Sequence, residues 1–290
     1  KEGFFGPCSL HWKYGRENIL SLGGPAAILL QLAHPKVAAG VDDHSDFYHD
    51  PMGRLERTFK IIHRVIFGDV QEALEAALKV RIVHESVQGH LPENVGPYER
   101  KDSYHANQPN LLLWVHATLI DQTLRGYERF VKPLNWSDKQ QYYRESKRFA
   151  KLFGIPGSEI PDTFSDFQSY YQNMLKNRIT VSQQALELKE QLFSRVHFTK
   201  PATVFFASSM LPEPLRKAFN LPWNPVMSGL DRLISPAIRR VTHSLPPELR
   251  YVKKYRYRMI ELGQDERMQS LLSTVLQPFA SHVDAIRQFV

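Results

Sequence analysis

The apolar residues of this chain recur every three to four positions along nearly its whole length, and this periodicity limits the fold more than any other feature. Such spacing places the apolar side chains on one face of an α-helix, whereas β-strands alternate apolar and polar residues. The only β-like run is Thr203–Phe206. We therefore predict an all-α fold in which residues 1–290 form a single, mainly helical domain.

Proline, glycine and capping residues divide the chain into helices. Pro35 should end or kink the helix that follows Gly24. Asp69, with Glu72 three residues later, has the pattern of a capping box and predicts a helix that stops at Gly89. A loop rich in proline, glycine and asparagine should follow over residues 91–110.

The most apolar helix is predicted over Leu111–Val131. Ser137 and Gln140 form a second capping-box pattern, so we expect Ser137 to cap a helix over Asp138–Phe153. Asn135 and Ser137 also form a glycosylation sequon, but the cap is the preferred interpretation.

Composition excludes several classes of protein. Hydrophobic residues make up 42% and charged residues 23%, as in globular proteins, and the single cysteine, Cys8, excludes an intramolecular disulfide framework. The longest uncharged apolar run is too short for a bilayer, which needs about 20 residues. We see no signal peptide, and we expect a cytoplasmic globular protein.

His116 is the first candidate site residue, because it lies in the middle of the most apolar predicted helix. Leu112, Leu113, Leu119 and Ile120 are its neighbours on the same helical face, so the ring should point into the core and be neutral. A neutral imidazole in an apolar wall is suited to binding haem iron. A hydrogen-bonded structural histidine fits the same pattern.

A polar stripe near the end of the helix that begins at Asp69 is the second candidate. Arg81, His84 and Glu85 share one face, and the helix has apolar residues on two sides, so we expect it to be buried between neighbours. Buried Arg, His and Glu must pair with each other or with a ligand. The stripe is therefore either one side of a reaction site or an intrahelical ion pair of Arg81 with Glu85.

Acidic and histidine residues are concentrated over Asp42–Asp50, and cationic residues over Arg232–Arg258. The first stretch offers ligands to a metal ion, but its spacing fits neither an EF-hand nor a zinc motif, and a polar loop that caps the helix after Pro51 is the default interpretation. The second contains eight basic residues and one acidic residue, so its net charge is +7, the same as that of the whole chain. Such a stretch suits an anionic membrane, nucleic acid or a solvated helical face.

Several stretches resemble one family closely. The segment from Gly23 to Val41 carries the pattern Gly-Gly-Pro followed by His34-Pro35, and the segment Leu113–Leu119 carries Trp-Val-His. Four shorter stretches match as well: His44–Leu55, Tyr127–Phe130, Phe149–Gly154 and Leu221–Trp223. Together they resemble the catalytic domain shared by the ER-bound mpaB-type oxygenases and the latex-clearing rubber oxygenases, over roughly residues 18–260.

The resemblance implies a globin-like helical core around haem b and oxidative cleavage of carbon–carbon double bonds in apolar isoprenoids. It selects His116 as the iron ligand and Arg81, His84 and Glu85 as the distal residues. Rubber-cleaving members carry Lys-Thr where this chain has His84-Glu85, so the likeness does not extend to these two positions.

We therefore expect a haem b-dependent oxygenase that acts with dioxygen on an apolar, terpenoid or polyene-like molecule. Arg81 would stabilise charge on reduced oxygen or pair with a haem propionate, and His84 or Glu85 would act as base or hydrogen-bond donor. A haem peroxidase and a non-enzymatic haem or lipid carrier are the alternatives. We expect no nucleic acid partner and weak peripheral contact of the basic stretch with anionic membrane.

Overall fold

The computed structural model describes residues 3–44, 50–194 and 199–263, and within these ranges helices dominate. The helices, in chain order, are α1 Leu10–Gly15, α2 Gly24–Leu32, α3 Pro35–His44, α4 Pro51–Phe67, α5 Val70–Glu85, α6 Pro109–Phe130, α7 Trp136–Leu152, α8 Phe164–Asn177, α9 Gln183–Ser194, α10 Lys200–Met210, α11 Glu213–Ala218, α12 Pro225–Ser244, α13 Pro247–Arg250 and α14 Lys253–Glu261. A 3₁₀ turn, Asn18–Gly23, links α1 to α2. The predicted all-α class is confirmed.

Helix boundaries follow the local chemistry in most places. Pro35 starts α3 directly after α2 has ended, as its missing N–H requires. Asp69 accepts from the Glu72 N–H at 2.9 Å and Glu72 reaches back to the Asp69 N–H at 3.2 Å, so the predicted capping box is present. Helix α6 matches its predicted span within two residues at each end.

Two local predictions were wrong. Asn135, whose side chain accepts from the Asp138 N–H at 2.7 Å, caps α7, and Ser137 lies inside that helix. This error arises because Asn and Ser suit a helix cap equally well. The β-like run Thr203–Phe206 is helical and belongs to α10, where the Thr203 hydroxyl bonds to the Thr199 carbonyl one turn earlier.

The second wrong prediction concerns the end of α5. This helix ends four residues before Gly89, and a small hairpin follows it. Strands β1 (Gln88–His90) and β2 (Ser103–His105) pair antiparallel, with Gly89 opposite Tyr104. A Cβ on Gly89 would lie 2.6 Å from the Tyr104 hydroxyl, so only glycine fits this close approach. The hairpin covers α3, since Tyr104 and Ala39 belong to one buried cluster.

Helix α6 is the centre of the main core. It packs against α2, α7, α12 and the 3₁₀ turn. The fully buried Trp114 donates its indole N–H to the Leu30 carbonyl of α2 at 3.1 Å, so the large ring is buried without an unsatisfied polar atom. Within the described ranges, no helix combines the length and the apolarity that crossing a membrane would require.

A buried ion pair between Glu17 and Arg250 joins two distant parts of the chain. Glu17, which is only 2% exposed, accepts two hydrogen bonds of 2.9 Å from the guanidinium of Arg250. Next to this pair, the Val252 N–H donates to the Arg16 carbonyl, and α14 then packs on α4. The N-terminal and C-terminal parts of the described chain therefore close on each other.

Candidate functional site

His116 lies where the sequence predicts it, on the buried side of α6. The residue is 8% exposed, and burial lowers the pKa of its ring to about 3. The nearby His11 lowers this pKa further, while a hydrogen bond from the ring to the backbone of Ser146 opposes the shift. The ring is therefore neutral at any pH at which the protein would be handled.

The surroundings of the His116 ring indicate whether it can bind a ligand. Phe149 of α7 stacks on the ring, with centroids 5.5 Å apart and planes at 12°. The buried Nδ1 atom has no hydrogen-bond partner among the described residues. An unsatisfied polar atom in a protein interior costs about 1–3 kcal/mol, so this nitrogen is a candidate to bind a ligand.

A second buried histidine, His11, is a neighbour that the sequence analysis missed. Its ring is stacked between Phe5 and Tyr142, with centroids at 4.4 and 4.3 Å. The Nδ1 atom lies 3.2 Å from a carboxylate oxygen of Glu145, and Nε2 lies 3.3 Å from the Ser146 hydroxyl. Burial lowers the pKa of His11 despite the carboxylate, so this ring too is neutral at neutral pH.

A signal for this cluster was present in the sequence. Tyr142, Glu145, Ser146 and Phe149 are spaced by three or four residues, so they share one face of α7. Two polar residues within an otherwise aromatic helical face indicate a buried partner. The partner itself was not predictable, because His11 comes from a short helix about 135 positions earlier in the chain.

The polar stripe of α5 is not buried as predicted. The side chains of Arg81 and Glu85 are 70% and 58% exposed and form an intrahelical ion pair with a separation of 3.9 Å. Helix α5 packs on α4 through small residues, Ala73 and Ala76. Large apolar residues that should have been covered, including Leu74 and Leu78, are exposed instead.

His84 differs from the other two residues of the stripe because its ring is half-buried. Burial lowers its pKa, the charge of Arg54 on α4 adds to this effect, and the Asn107 side chain partly offsets it. The Nδ1 atom of His84 is buried and has no hydrogen-bond partner among the described residues. Of the three stripe residues, His84 is therefore the one best placed to contact a ligand away from solvent.

The Asp42–Asp50 stretch falls partly outside the described residues, since positions 45–49 are not described. Asp42 accepts from the Gln184 amide at 2.7 Å, and Asp43 accepts from the Tyr104 hydroxyl. His44 bonds to the Gln88 carbonyl, and Asp50 caps α4. These side chains have structural partners, and the described ranges hold no cluster of metal-ligating residues.

The basic stretch is largely engaged within the protein. Arg239 donates to the Glu128 carbonyl at 2.5 Å, Arg250 pairs with Glu17, and Lys254 pairs with Glu72 at 2.6 Å. By contrast, Arg232 and Arg240 on α12 are exposed. Arg250 and Lys254 are therefore paired with acidic residues of the protein itself, and Arg239 is held by a backbone carbonyl.

Fold and site together define a mainly helical protein whose interior contains His11 and His116 as neutral rings. The chain belongs to the family described as ER-bound oxygenase mpaB/B′/Rubber oxygenase, catalytic domain, whose model matches residues 12–240. The predicted family resemblance is confirmed, and the family is one of oxygenase catalytic domains.

Two curated relatives and one solved structure resemble the chain. Uncharacterized proteins of Mycobacterium bovis and Mycobacterium tuberculosis are each 27% identical over 205 residues, which is 68% of this chain and 72% of each relative. The latex clearing protein in its closed state aligns with a TM-score of 0.54 at 18% identity, covering 77% of this chain. The alignment spans 62% of that protein's length and supports the helical fold.

Proposed function

We propose that this protein is a haem b-dependent oxygenase that uses dioxygen to oxidise an apolar small molecule of the terpenoid or polyene class, with cleavage of a carbon–carbon double bond as the reaction. The family supports the oxygenase class. The haem, the double-bond cleavage and the substrate class are what the resemblance to this family implies, and for this chain they are proposals.

The observation that carries the proposal is the state of His116. A metal ligand must offer an unprotonated nitrogen, and the ring combines a pKa of about 3 with a buried Nδ1 that has no partner. By contrast, both ring nitrogens of His11 lie within hydrogen-bond distance of a partner. His116 therefore fits the role of a ligand to haem iron.

Haem bound at His116 would supply the redox chemistry with dioxygen. The protein's own part is to present a neutral imidazole and to keep water away from it, which Phe149 does by covering one face of the ring. His84 would hold or donate a proton on the substrate side. Arg81, whose guanidinium is exposed, is the cation for a haem propionate, and Glu85 keeps it oriented through their ion pair.

The absorption spectrum of the purified protein tests the proposal. We expect a Soret band, or its appearance when haem is added, at one haem per chain. His116→Ala should fold but lose stoichiometric haem, whereas His90→Ala, which removes an exposed ring from the hairpin, should keep it. An unchanged Soret band in His116→Ala would remove His116 from the role of ligand.

A peroxidase is a second candidate because a half-buried arginine, Arg54, acts electrostatically on His84 from the neighbouring helix. A histidine with a nearby arginine is an arrangement suited to heterolytic cleavage of peroxide. Fast oxidation of a dye by peroxide in the absence of dioxygen would favour this reaction. Consumption of dioxygen with a polyene such as β-carotene would favour the oxygenase.

We also propose weak contact with anionic membrane, from which an apolar substrate would be collected. The exposed side of α12 carries Val226, Leu230 and Leu233, with Arg232 beside them and Arg240 two turns further on. An amphipathic helix of this kind can lie in a lipid interface. We therefore propose α12, which contains the first part of the basic stretch, as the contacting helix.

A further inference from the structure

We propose that Asn107 is a positioning residue for the polar stripe of α5. Its side-chain amide holds Arg81 and Glu85 in place relative to the start of α6, the helix that carries His116. The inference rests on the proposed function for what the stripe does at a haem. Whether Asn107 holds the last turn of α5 can be tested in the protein without haem.

The amide nitrogen of Asn107 contacts two oxygen atoms in the last turn of α5. Nδ2 lies 3.2 Å from the carbonyl oxygen of Arg81 and 3.0 Å from Oε1 of Glu85. A carbonyl oxygen and an ionised carboxylate can only accept hydrogen bonds, so both positions require a donor. The two protons of a side-chain amide supply one donor to each oxygen, and this requirement fixes the orientation of the Asn107 side chain.

The ion pair within the stripe needs this support. Arg81 and Glu85 are 3.9 Å apart and largely exposed, and exposed ion pairs hold their side chains only weakly because water and salt screen the charges. The oxygen of Glu85 that faces Arg81 is Oε1, the same atom that accepts from Asn107. Nε2 of His105 lies 3.8 Å from the other carboxylate oxygen. Asn107 therefore fixes the carboxylate, and the carboxylate orients the guanidinium.

The segment that contains Asn107 is itself held by backbone hydrogen bonds. The Asn107 N–H donates to Nδ1 of His105 at 3.1 Å, and the Gln108 N–H donates to the His105 carbonyl at 2.9 Å. The Ala106 N–H donates to the carbonyl of Val87, just beyond α5, at 2.8 Å. The Asn107 side chain therefore projects from a well-defined turn, which reduces the entropy that its contacts with α5 must overcome.

The position of Asn107 in the chain relates the stripe to α6. Helix α6 begins at Pro109, two residues after Asn107. Helix α5 packs mainly on α4, through Ala73 and Ala76. The placement of the stripe relative to α6 therefore depends on contacts at the end of α5, and the Asn107 amide provides two of these contacts.

Hydrogen exchange in the protein without haem is the first test. Asn107→Leu keeps the approximate size of the side chain and removes the donor without adding a charge. The backbone N–H groups of His84 and Glu85 should exchange about tenfold faster in this variant, because the lost hydrogen bonds favour local opening of the last turn. Asn110→Leu, the same change at an exposed position in the first turn of α6, should leave their exchange as in the wild type.

The reduction potential of the haem in the loaded protein is the second test. A cation beside a haem propionate favours the reduced haem, which carries one more negative charge than the oxidised haem. Both Arg81→Ala and Asn107→Leu should therefore lower the potential. If Asn107 acts through Arg81, the double variant should have the potential of Arg81→Ala alone. An asparagine that only stabilises the fold would not change the potential.

The outcomes separate this inference from the proposed function. The inference is wrong if exchange at His84 and Glu85 is unchanged in Asn107→Leu. It is also wrong if exchange becomes faster while the potential changes in Arg81→Ala but not in Asn107→Leu. If Arg81→Ala leaves the potential unchanged, or if no haem binds, the proposed role of Arg81 is wrong, while hydrogen exchange still decides whether Asn107 holds the end of α5.

Discussion

At the scale of single residues, the buried histidines differ in what surrounds each ring. His34 lies 3.0 Å from the Tyr98 hydroxyl, and His63 lies between the rings of Phe59 and Phe67. Burial lowers the pKa of both His34 and His63 to about 4. These rings are neutral in the native protein at pH values where an unfolded chain would already bind protons.

The free energy of unfolding should therefore decrease as the pH falls from about 6.5 to about 4, the interval between the usual pKa of histidine and that of His34 and His63. Above this interval both states are neutral and the contribution is constant. Within this interval, each ring contributes up to about 1.4 kcal/mol per pH unit to the slope of the free energy of unfolding against pH. Urea unfolding of His63→Phe, which cannot titrate, should show a shallower pH dependence by about that amount. His90→Gln should follow the wild type, and equal slopes in all three proteins would contradict the assignment.

The role of His84 gives another prediction at this scale. His84→Ala should retain haem but slow turnover by roughly 10²–10⁴, the contribution usual for a general acid or base. Consumption of dioxygen with β-carotene measures turnover. Lys79→Ala, an exposed change on the same helix, is the control. Equal losses of activity and of thermal stability in His84→Ala would favour a structural role for the ring.

At the scale of the elements, sequence patterns predicted what depends on local chemistry. The Asp69 capping box, the break at Pro35 and the span of α6 follow from residues close together in the chain. The burial of α5 was not predictable, because its apolar residues occupy more than one face. Which face packs on α4 is decided by the small side chains of Ala73 and Ala76, which allow close approach.

The candidate site shows the same division. The burial of His116 was predictable because the residues three and four positions away from it in the sequence are apolar. His11 and Glu145 were not, because their pairing joins α1 to α7 and has no counterpart in local spacing. Contacts over such separations depend on the packing of the whole core.

The start of α7 provides a test of a corrected boundary. Asn135→Ala should lower the free energy of unfolding by about 1 kcal/mol, because the Asp138 N–H loses its acceptor. Ser137→Ala should change it by less than about 0.5 kcal/mol, since Ser137 is exposed inside the helix. Urea unfolding measures both. A larger effect for Ser137 than for Asn135 would place the cap at Ser137.

At the scale of the whole molecule, net charge is a poor guide to the binding surface. The segment Arg232–Arg258 has a net charge of +7, as large as that of the whole chain. Two of its cations, Arg250 and Lys254, form ion pairs with Glu17 and Glu72. The free cations that lie beside exposed apolar side chains, Arg232 and Arg240, are on α12.

Vesicle flotation at low ionic strength should therefore show binding to membranes that contain phosphatidylserine. Replacing both Arg232 and Arg240 by Ser should weaken it, at about 1 kcal/mol per cation, and raising the salt concentration should do the same. Lys253→Ser, an exposed change outside α12, is the control. If the wild type remains in the unbound fraction, the membrane contact is refuted.

The ion pair of Glu17 with Arg250 has a consequence for how the protein folds during its synthesis. A ribosome adds about 5–20 residues each second, so the 233 positions between the two side chains correspond to roughly 10–50 s of synthesis. Throughout that time the nascent chain holds a carboxylate destined for the interior without its guanidinium. The first helices therefore cannot reach their final packing until Arg250 has been synthesised, and a chaperone that shields them has the longest opportunity at this end of the protein.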